Sequence, residues 1–599
     1  MSAGASGGSV VAAVGPVVRA AGLAEAIVGE VVRVGPRRLL GEIIGLDGPL
    51  ATIQVYEETG GLEVGDAVEA SGAPLRARLG PGLLGATFDG LQRPLDRLAA
   101  AGTWLLMPGL SGVAGEPPAG STGDRSLGPR RWSFDAERDP GDPVGGGDTL
   151  GAVAEGRLRH RILVPPDVGA GTLVELASGD FTVDDVIGFV ETARGLVELH
   201  LAHDWAIRRP RPVRRRLGAD RPLLTGQRVF DMLFPIAQGG AAVIPGGFGT
   251  GKTVVEQSVA RWSDADVVVY VGCGERGNEM AELLASFPDL VDPRSGAPLL
   301  ERTVLIANTS NMPVAAREAS VQLGVTIAEY FRDQGLHVAL LADSTSRWAE
   351  ALREIGGRLE ELPGEEGFPA YLGSRLAGFY ERAGRVETLG TPARVGSISL
   401  VGAVSPPGGD FSEPVTQASL RLAGTFWALD AALAHARHFP AVGWTASYSL
   451  HVDALTPWYR THVDPSWADR RAEAIGLLAR ERQLLDIVQL VGADALPDAD
   501  RVDLETARLV RETFLQQHAF DPVDAARPLD VQFALLCAVL AAGVGLRRAL
   551  ERGATLDQVV DSPLLAELRR ARYWAGDDVA SRLVELAGRL ETFEPEVAR

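Results

Sequence analysis

Short apolar runs broken by Gly and Pro turns fill the first eighty residues, among them Ser9–Val14, Ala26–Val34 and Leu50–Val55. They predict the strands of a small β-barrel over residues 1–85. From Pro108 to Gly151 the chain turns rich in Gly, Pro and Asp (GEPPAGSTGDRS, DPGDPVGGGDTLG), and strand-like runs such as Arg161–Val164 and Gly171–Leu176 then resume as far as Leu201. Residues 110–200 read as an inserted β-rich unit, with a long disordered linker as the alternative. Between Ala241 and Val404 the apolar strands Ala241–Ile244, Val267–Val271, Thr303–Ala307, Val338–Ala342 and Ser397–Val401 alternate with helical segments. That order predicts a parallel sheet covered by helices on both faces, assigned to residues 86–109 and 201–440. Beyond Pro440 the period becomes helical: Ile475, Leu478, Leu485 and Val488 share one face, and residues 441–599 form a helical domain. No repeat of 20–50 residues is visible.

The 599 residues fit about four structural units at roughly 150 residues each. Hydrophobic residues at 46% and charged residues at 23% are ordinary globular values. The net charge of −20 excludes an overall nucleic-acid footprint. The only dense basic run, Arg208–Arg216 (RRPRPVRRR), reads as a Pro-stiffened solvated connector in preference to an anion-binding patch. Two cysteines, Cys273 and Cys537, are too few for a disulfide framework and point to a reducing compartment. The longest uncharged apolar run, Phe533 to Leu546, falls short of the roughly 20 residues of a membrane span and reads as a buried core helix. The first eighteen residues lack the basic start of a signal peptide. All but one of the 58 basic residues are arginine, and the exception, Lys252, lies in a glycine-rich loop. A compact ammonium among backbone amides is a job a guanidinium does poorly.

That loop, Gly246-Gly247-Phe248-Gly249-Thr250-Gly251-Lys252-Thr253, fits GxxxxGK[ST] and sits between the strand Ala241–Ile244 and the helical run Val254–Trp262. Glycines let N–H groups converge on phosphate oxygens, the helix N-terminus adds its positive end, and Lys252 reaches the β- and γ-phosphates. The Thr253 hydroxyl suits Mg²⁺. The strand Val338–Ala342 delivers Asp343 where a magnesium-positioning acid belongs; taken alone, that Asp reads as a helix N-cap. The strand Val267–Val271 runs into GCGERGNE, where Glu275 is the candidate to polarise an attacking water and Arg276 to hold it or a phosphate oxygen. Glu279 competes with Glu275 for that role.

The strings GGFGTGKT, GCGERGNEM, NTSNMPVAARE, LADSTSRWAEALREI and AVSPPGGDFSEPV resemble those of the catalytic A subunit of V-type and A-type rotary ATPases, over nearly the whole chain. DPGDPVGGGDTLG followed by HRILVPPDVGAG resembles the inserted domain of that family. The resemblance implies a multi-domain α/β chain: an N-terminal β-barrel, an inserted β-rich domain, a central P-loop (RecA-like) nucleotide-binding domain and a C-terminal helical domain. It implies Mg²⁺ with ATP or ADP, the GER glutamate Glu275 as the water-polarising group, and Phe439 and Phe520 as the aromatics flanking adenine. It also implies alternation with a B-type subunit in a hexamer that supplies an arginine finger, central shaft and peripheral stalk subunits, and a membrane sector reached only indirectly. ATP hydrolysis or synthesis would be coupled to proton or sodium movement at the cytoplasmic face of a membrane. Two departures stand out: Gly247 replaces the family's usual Pro, which loosens the loop by about 0.4–1 kcal/mol, and the stretch 112–147 matches the family poorly at its start.

The alternatives are an F-type catalytic subunit or protein-export ATPase, a nucleotide-binding scaffold without turnover, and a helicase-type ring motor. The insert at Leu110–His200 argues against the first and the full set Lys252, Thr253, Glu275, Arg276 and Asp343 against the second. The net charge argues against the third.

Overall fold

The computed structural model describes residues 7–95, 130–492 and 495–593. The expected stretch 86–109 therefore lies outside the described residues from 96 onward, as does the insert up to 129. The chain forms two compact units, Met1–Leu217 with Ala265–Gly402, and Gly218–Asp264 with Ala403–Arg599.

In the first unit, six strands close a barrel in the order Gly7–Val14, Val17–Ala21, Leu50–Val55, Leu39–Asp47, Glu30–Val34, Ala67–Pro74. Alternate residues point inward, so Val18, Val32, Ile43, Ile53 and Val68 fill its core. The run expected from Ala26 begins as a strand only at Glu30: its buried carboxylate accepts the N–H groups of Ile27 (3.0 Å) and Gly72 (2.6 Å), which fixes residues 27–29 as a turn.

The insert is a sandwich of two four-stranded antiparallel sheets closed on Trp132, Phe134, Leu150, Ile162 and Val190. An apolar core of this kind rules out the linker alternative for residues 130–200. A parallel sheet follows, in the order Val395–Val404, His337–Asp343, Val267–Glu275, Thr303–Thr309, Thr87–Phe88. Its central strands are buried almost throughout, which explains their unbroken apolar runs. The helix Val314–Asp333 is buried along nearly its whole length. At the amino ends of the strands, a cavity of about 320 Å³ is lined by Asp266, Arg294, Glu301 and Arg302, opposite the edge that carries Glu275 and Asp343.

The basic run Arg208–Arg216 is exposed at most of its positions, as a solvated connector would be, and it is also tied down. Arg208 bridges Glu42 (3.0 Å) and Glu318 (2.7 Å), and Arg211 is buried against Asp333 (2.7 Å). Arg215 pairs with Glu387 (2.6 Å), and Arg216 donates to the Ala383 carbonyl (3.0 Å). Arg211 is buried and Arg208 half-buried, while Arg209, Arg214, Arg215 and Arg216 stay exposed, so the segment is a solvated connector pinned to this unit at its buried arginine and by surface ion pairs.

In the second unit, Ala241–Pro245 pairs in parallel with Thr425–Phe426 and leads into the helix Lys252–Trp262. The helices from Val452 onward complete it. The helix Leu529–Glu551 is long and apolar enough to cross a membrane by length and composition, yet 67% of its most apolar stretch is buried inside the protein. On Trp467–Val491 the buried row is Trp467, Ala474, Leu478, Glu481 and Leu484; of the predicted residues Leu478 belongs to it, Ile475 and Val488 are half-buried and Leu485 is exposed. Glu481 goes inside because Arg511 donates to it at 2.8 Å, a pairing invisible to periodicity. Leu485, Ile487 and Leu490 are exposed.

Candidate nucleotide site

The phosphate loop belongs to the second unit. Gly249 (φ +77°) and Gly251 (φ +90°) turn through the left-handed region, which only glycine adopts without strain. Gly246 must be small for a different reason: a Cβ there would lie 2.6 Å from the Thr250 hydroxyl and 2.8 Å from Leu429 Cβ. The Thr250 hydroxyl donates to the Gly247 carbonyl (2.8 Å), holding the loop in a closed curve. Lys252 opens the helix, and its Nζ folds back to donate to the carbonyls of Gly246 (2.6 Å) and Gly247 (3.1 Å). Thr253 is the next helical residue, and the Phe248 side chain is exposed. A Cβ on Gly247 would meet nothing within 4 Å.

Two aromatic rings belong to the same unit. A Cβ on Gly251 would sit 3.6 Å from the ring of Phe439, which therefore lies against the end of the loop. Phe439 is 40% exposed and Phe520 82% exposed. Their segments are tied by the Gln517 N–H, which donates to the Phe439 carbonyl at 2.8 Å.

In the first unit the carboxyl ends of two neighbouring strands form a carboxylate shelf. Gly272 pairs in register with Asp343, the last residue of His337–Asp343, whose carboxylate accepts from the Tyr270 hydroxyl (3.2 Å). The strand Val267–Glu275 runs past Val271, with a register slip between Cys273 and Glu275 where it meets Thr303–Thr309. Gly274 sits in that bulge at φ +73°, wedged where a Cβ would come within 2.7 Å of Arg347 Cβ and 2.9 Å of Arg317 Cδ. Bulges of this type re-aim the side chain that follows, here Glu275.

Burial pushes the Glu275 carboxyl up to about 7, and the negative charges of Asp343 and Glu279 act in the same direction. Arg347 and the Ser344 hydroxyl pull it back. Arg276 points its exposed guanidinium to Glu279, at 4.0 Å. Arg347, a cation that acts on Glu275, comes from the helix Thr345–Arg358 and also pairs with Glu350 at 2.8 Å. Sequence reasoning missed Arg347, Ser344 and Tyr270; Ser344 and Arg347 stand within the LADSTSRW string that supplied Asp343.

Four family descriptions match the chain. They are the ATP synthase alpha/beta family nucleotide-binding domain (residues 226–449), the C-terminal domain of V and A type ATP synthase (456–553), the ATP synthase alpha/beta subunit barrel-sandwich domain (127–208) and the alpha/beta family beta-barrel domain (6–72). The V-type ATP synthase alpha chain 1 of Clostridium tetani is 52% identical over 575 residues, 96% of this chain and 95% of the relative. The A subunit of the A-type ATP synthase of Methanopyrus kandleri is 50% identical over 591 residues, 98% of each chain. The chain belongs to the V/A-type ATP synthase A-subunit family. Among solved structures, the ATPase EscN of the enteropathogenic E. coli type III secretion system covers 89% of this chain and all of its own, with a TM-score of 0.63 at 22% identity, a likeness of fold. As a V/A-type A subunit, the chain is expected to have the barrel, insert, nucleotide fold and helical end found above, and the matched C-terminal domain is the one described for V and A types.

Proposed function

We propose that this chain binds Mg²⁺-ATP on the loop Gly246–Thr253 and hydrolyses or forms it with Glu275 as the proton-accepting group. Membership of the family makes it the catalytic subunit of a V/A-type ATP synthase, a component of a multisubunit enzyme. The reading is carried by the Gly274 bulge, which sets Glu275 at the carboxyl end of its strand beside the strand that ends in Asp343, where burial raises its carboxyl to about 7. A nucleotide-binding scaffold has no use for a base poised near neutrality, whereas hydrolysis does.

Lys252 exchanges the carbonyls of Gly246 and Gly247 for β- and γ-phosphate oxygens, while the N–H groups of Gly249 to Thr253 cradle them. The Thr253 hydroxyl and the Asp343 carboxylate are hard oxygen donors, the chemistry Mg²⁺ takes. Held by such donors and the nucleotide, Mg²⁺ would neutralise charge on the phosphate oxygens. Glu275 accepts a proton from the attacking water in hydrolysis and returns it in synthesis. Arg276 adds positive charge at the phosphate end, and Phe439 and Phe520 flank the adenine. A B-type partner that alternates with this chain in a hexamer supplies an arginine finger; central shaft and peripheral stalk subunits link the head to a membrane sector on whose cytoplasmic side it sits. The ion gradient across that sector sets the direction.

The test is Mg²⁺-dependent ATP hydrolysis by the purified chain, alone and mixed with the B-type and shaft subunits of the same genome, with Glu275→Gln as control. Strong activation on mixing, lost in the control, is expected. Equal activity alone and mixed would show a site complete within this chain and overturn the partner-supplied arginine finger.

A further inference from the structure

We infer that Arg228 is a positioning residue for the base end of the nucleotide, fixing the segment that carries Phe520 and, through Gln517, the one that carries Phe439. This rests on the reading that those two rings flank the base.

Arg228 sits between the turn at Thr225-Gly226-Gln227 and the π-helical turn Val229–Leu233, about twenty residues before the phosphate loop. Its side chain and that of Asp524 are fully buried. All of its nitrogens are committed to one distant segment. The amide N–H donates to Gln517 Oε1 (2.9 Å), Nε to the Phe514 carbonyl (2.6 Å), Nη1 to Asp524 Oδ1 (2.7 Å) and Nη2 to the Gln516 carbonyl (2.7 Å). Gln517 passes the constraint on: its Nε2 donates to the Gly226 carbonyl (3.0 Å) and its N–H to the Phe439 carbonyl (2.8 Å). The second oxygen of Asp524 accepts the His518 N–H (2.8 Å), and Gln227 Nε2 donates to the Ala525 carbonyl (2.6 Å). Residues 518–523 are thereby anchored at both ends, with the exposed ring of Phe520 between the anchors.

A buried ion pair is weak support for stability, because desolvation offsets most of its attraction; fixing one geometry is the better-attested use. The planar fork of arginine meets three acceptors in fixed directions, and lysine, a point charge, leaves two of them without a donor. The geometry that depends on Arg228 is the spacing of two aromatic rings that are themselves exposed. Such a residue governs affinity for the base and leaves the affinity for phosphate, set by the loop, unchanged.

The experiment compares binding of Mg²⁺-ATP with Mg²⁺-tripolyphosphate, which has the phosphates and no base, to the full chain and to Arg228→Lys, Gln517→Leu and Phe520→Ala. Gln517→Leu leaves the buried ion pair intact and decides the matter if Arg228→Lys does not fold. Losing one stacked base weakens binding by about tenfold or more. Arg228→Lys and Gln517→Leu are expected to approach that loss for ATP, while tripolyphosphate binding stays within about twofold of the parent. Equal losses for both probes would make Arg228 merely structural and overturn the inference. So would unchanged ATP affinity in both variants while Phe520→Ala weakens it. Unchanged ATP affinity in Phe520→Ala would instead remove the base-flanking reading, and the inference with it.

Discussion

Between Gly246 and Thr253 the protein gathers positive potential from backbone and one ammonium, and the geometry comes from glycines at positive φ and the start of a helix. At the ends of Val267–Glu275 and His337–Asp343 it does the reverse, gathering three carboxylates, Glu275, Glu279 and Asp343, with Arg347 pulling against them on Glu275. The loop is built from consecutive residues, whereas the shelf is assembled from two strands, a bulge and two helices, Gly277–Ser286 and Thr345–Arg358. A loop binds whatever offers phosphate oxygens, but it holds no group that can take a proton from water, whereas the shelf holds carboxylates that can. The contrast separates holding a nucleotide from turning it over.

The largest effect is expected where the loop has no substitute. Lys252→Ala removes the chain's only ammonium side chain, so turnover in the assembled complex should fall by at least about 10³-fold, together with nucleotide binding. Normal turnover would refute the loop assignment. On the shelf, Glu275→Gln should cut hydrolysis by about 10²–10⁴-fold and leave Mg²⁺-ATP affinity within a few-fold. If Glu279→Gln gave that pattern and Glu275→Gln did not, the two acids would exchange roles.

A gentler probe reads the shelf's electrostatics directly. In the nucleotide- and Mg²⁺-free chain, the Glu275 carboxyl should titrate near about 7, followed as a carboxyl infrared band absent from Glu275→Gln. It is protonated below that pH and ionised above it. Because Glu279 helps hold the proton on, Glu279→Gln should move the midpoint down; because Arg347 opposes it, Arg347→Ala should move it up. An unmoved midpoint in both would leave burial and the Asp343 charge to set it. The smallest effect belongs to Gly247, whose missing Cβ faces open space. Gly247→Pro should stabilise the chain by about 0.4–1 kcal/mol through the unfolded state, visible as a higher melting temperature without loss of binding.

The same contrast explains what the sequence can disclose. The loop is readable because its chemistry is local: eight consecutive residues with a strand before and a helix after. Glu275 and Asp343 are readable because each ends an apolar run, and such runs mark buried parallel strands. Arg347 is not, since nothing in LADSTSRW says that its arginine will act on a carboxylate at the end of the neighbouring strand. Arg228 stays hidden for the same reason: its acceptors lie nearly three hundred residues further on. In the run Arg208–Arg216 the exposed positions are readable from their charge and prolines, but the pairing of Arg208 with Glu318 and of Arg211 with Asp333 is not, because density of charge carries no information about distant carboxylates. On Trp467–Val491 the predicted stripe fails where Arg511 draws Glu481 inward and where the helix's last turns carry exposed leucines.

The ammonium of Lys252, resting on the carbonyls of Gly246 and Gly247, makes nucleotide arrival an exchange of ligands and not a capture by a bare cation. The two glycine carbonyls tether the charge to the backbone of the loop itself. Since no other ε-amine exists in the chain, an amine-directed reagent can mark only this side chain or the N-terminus, and the state of the tether becomes something chemistry can read.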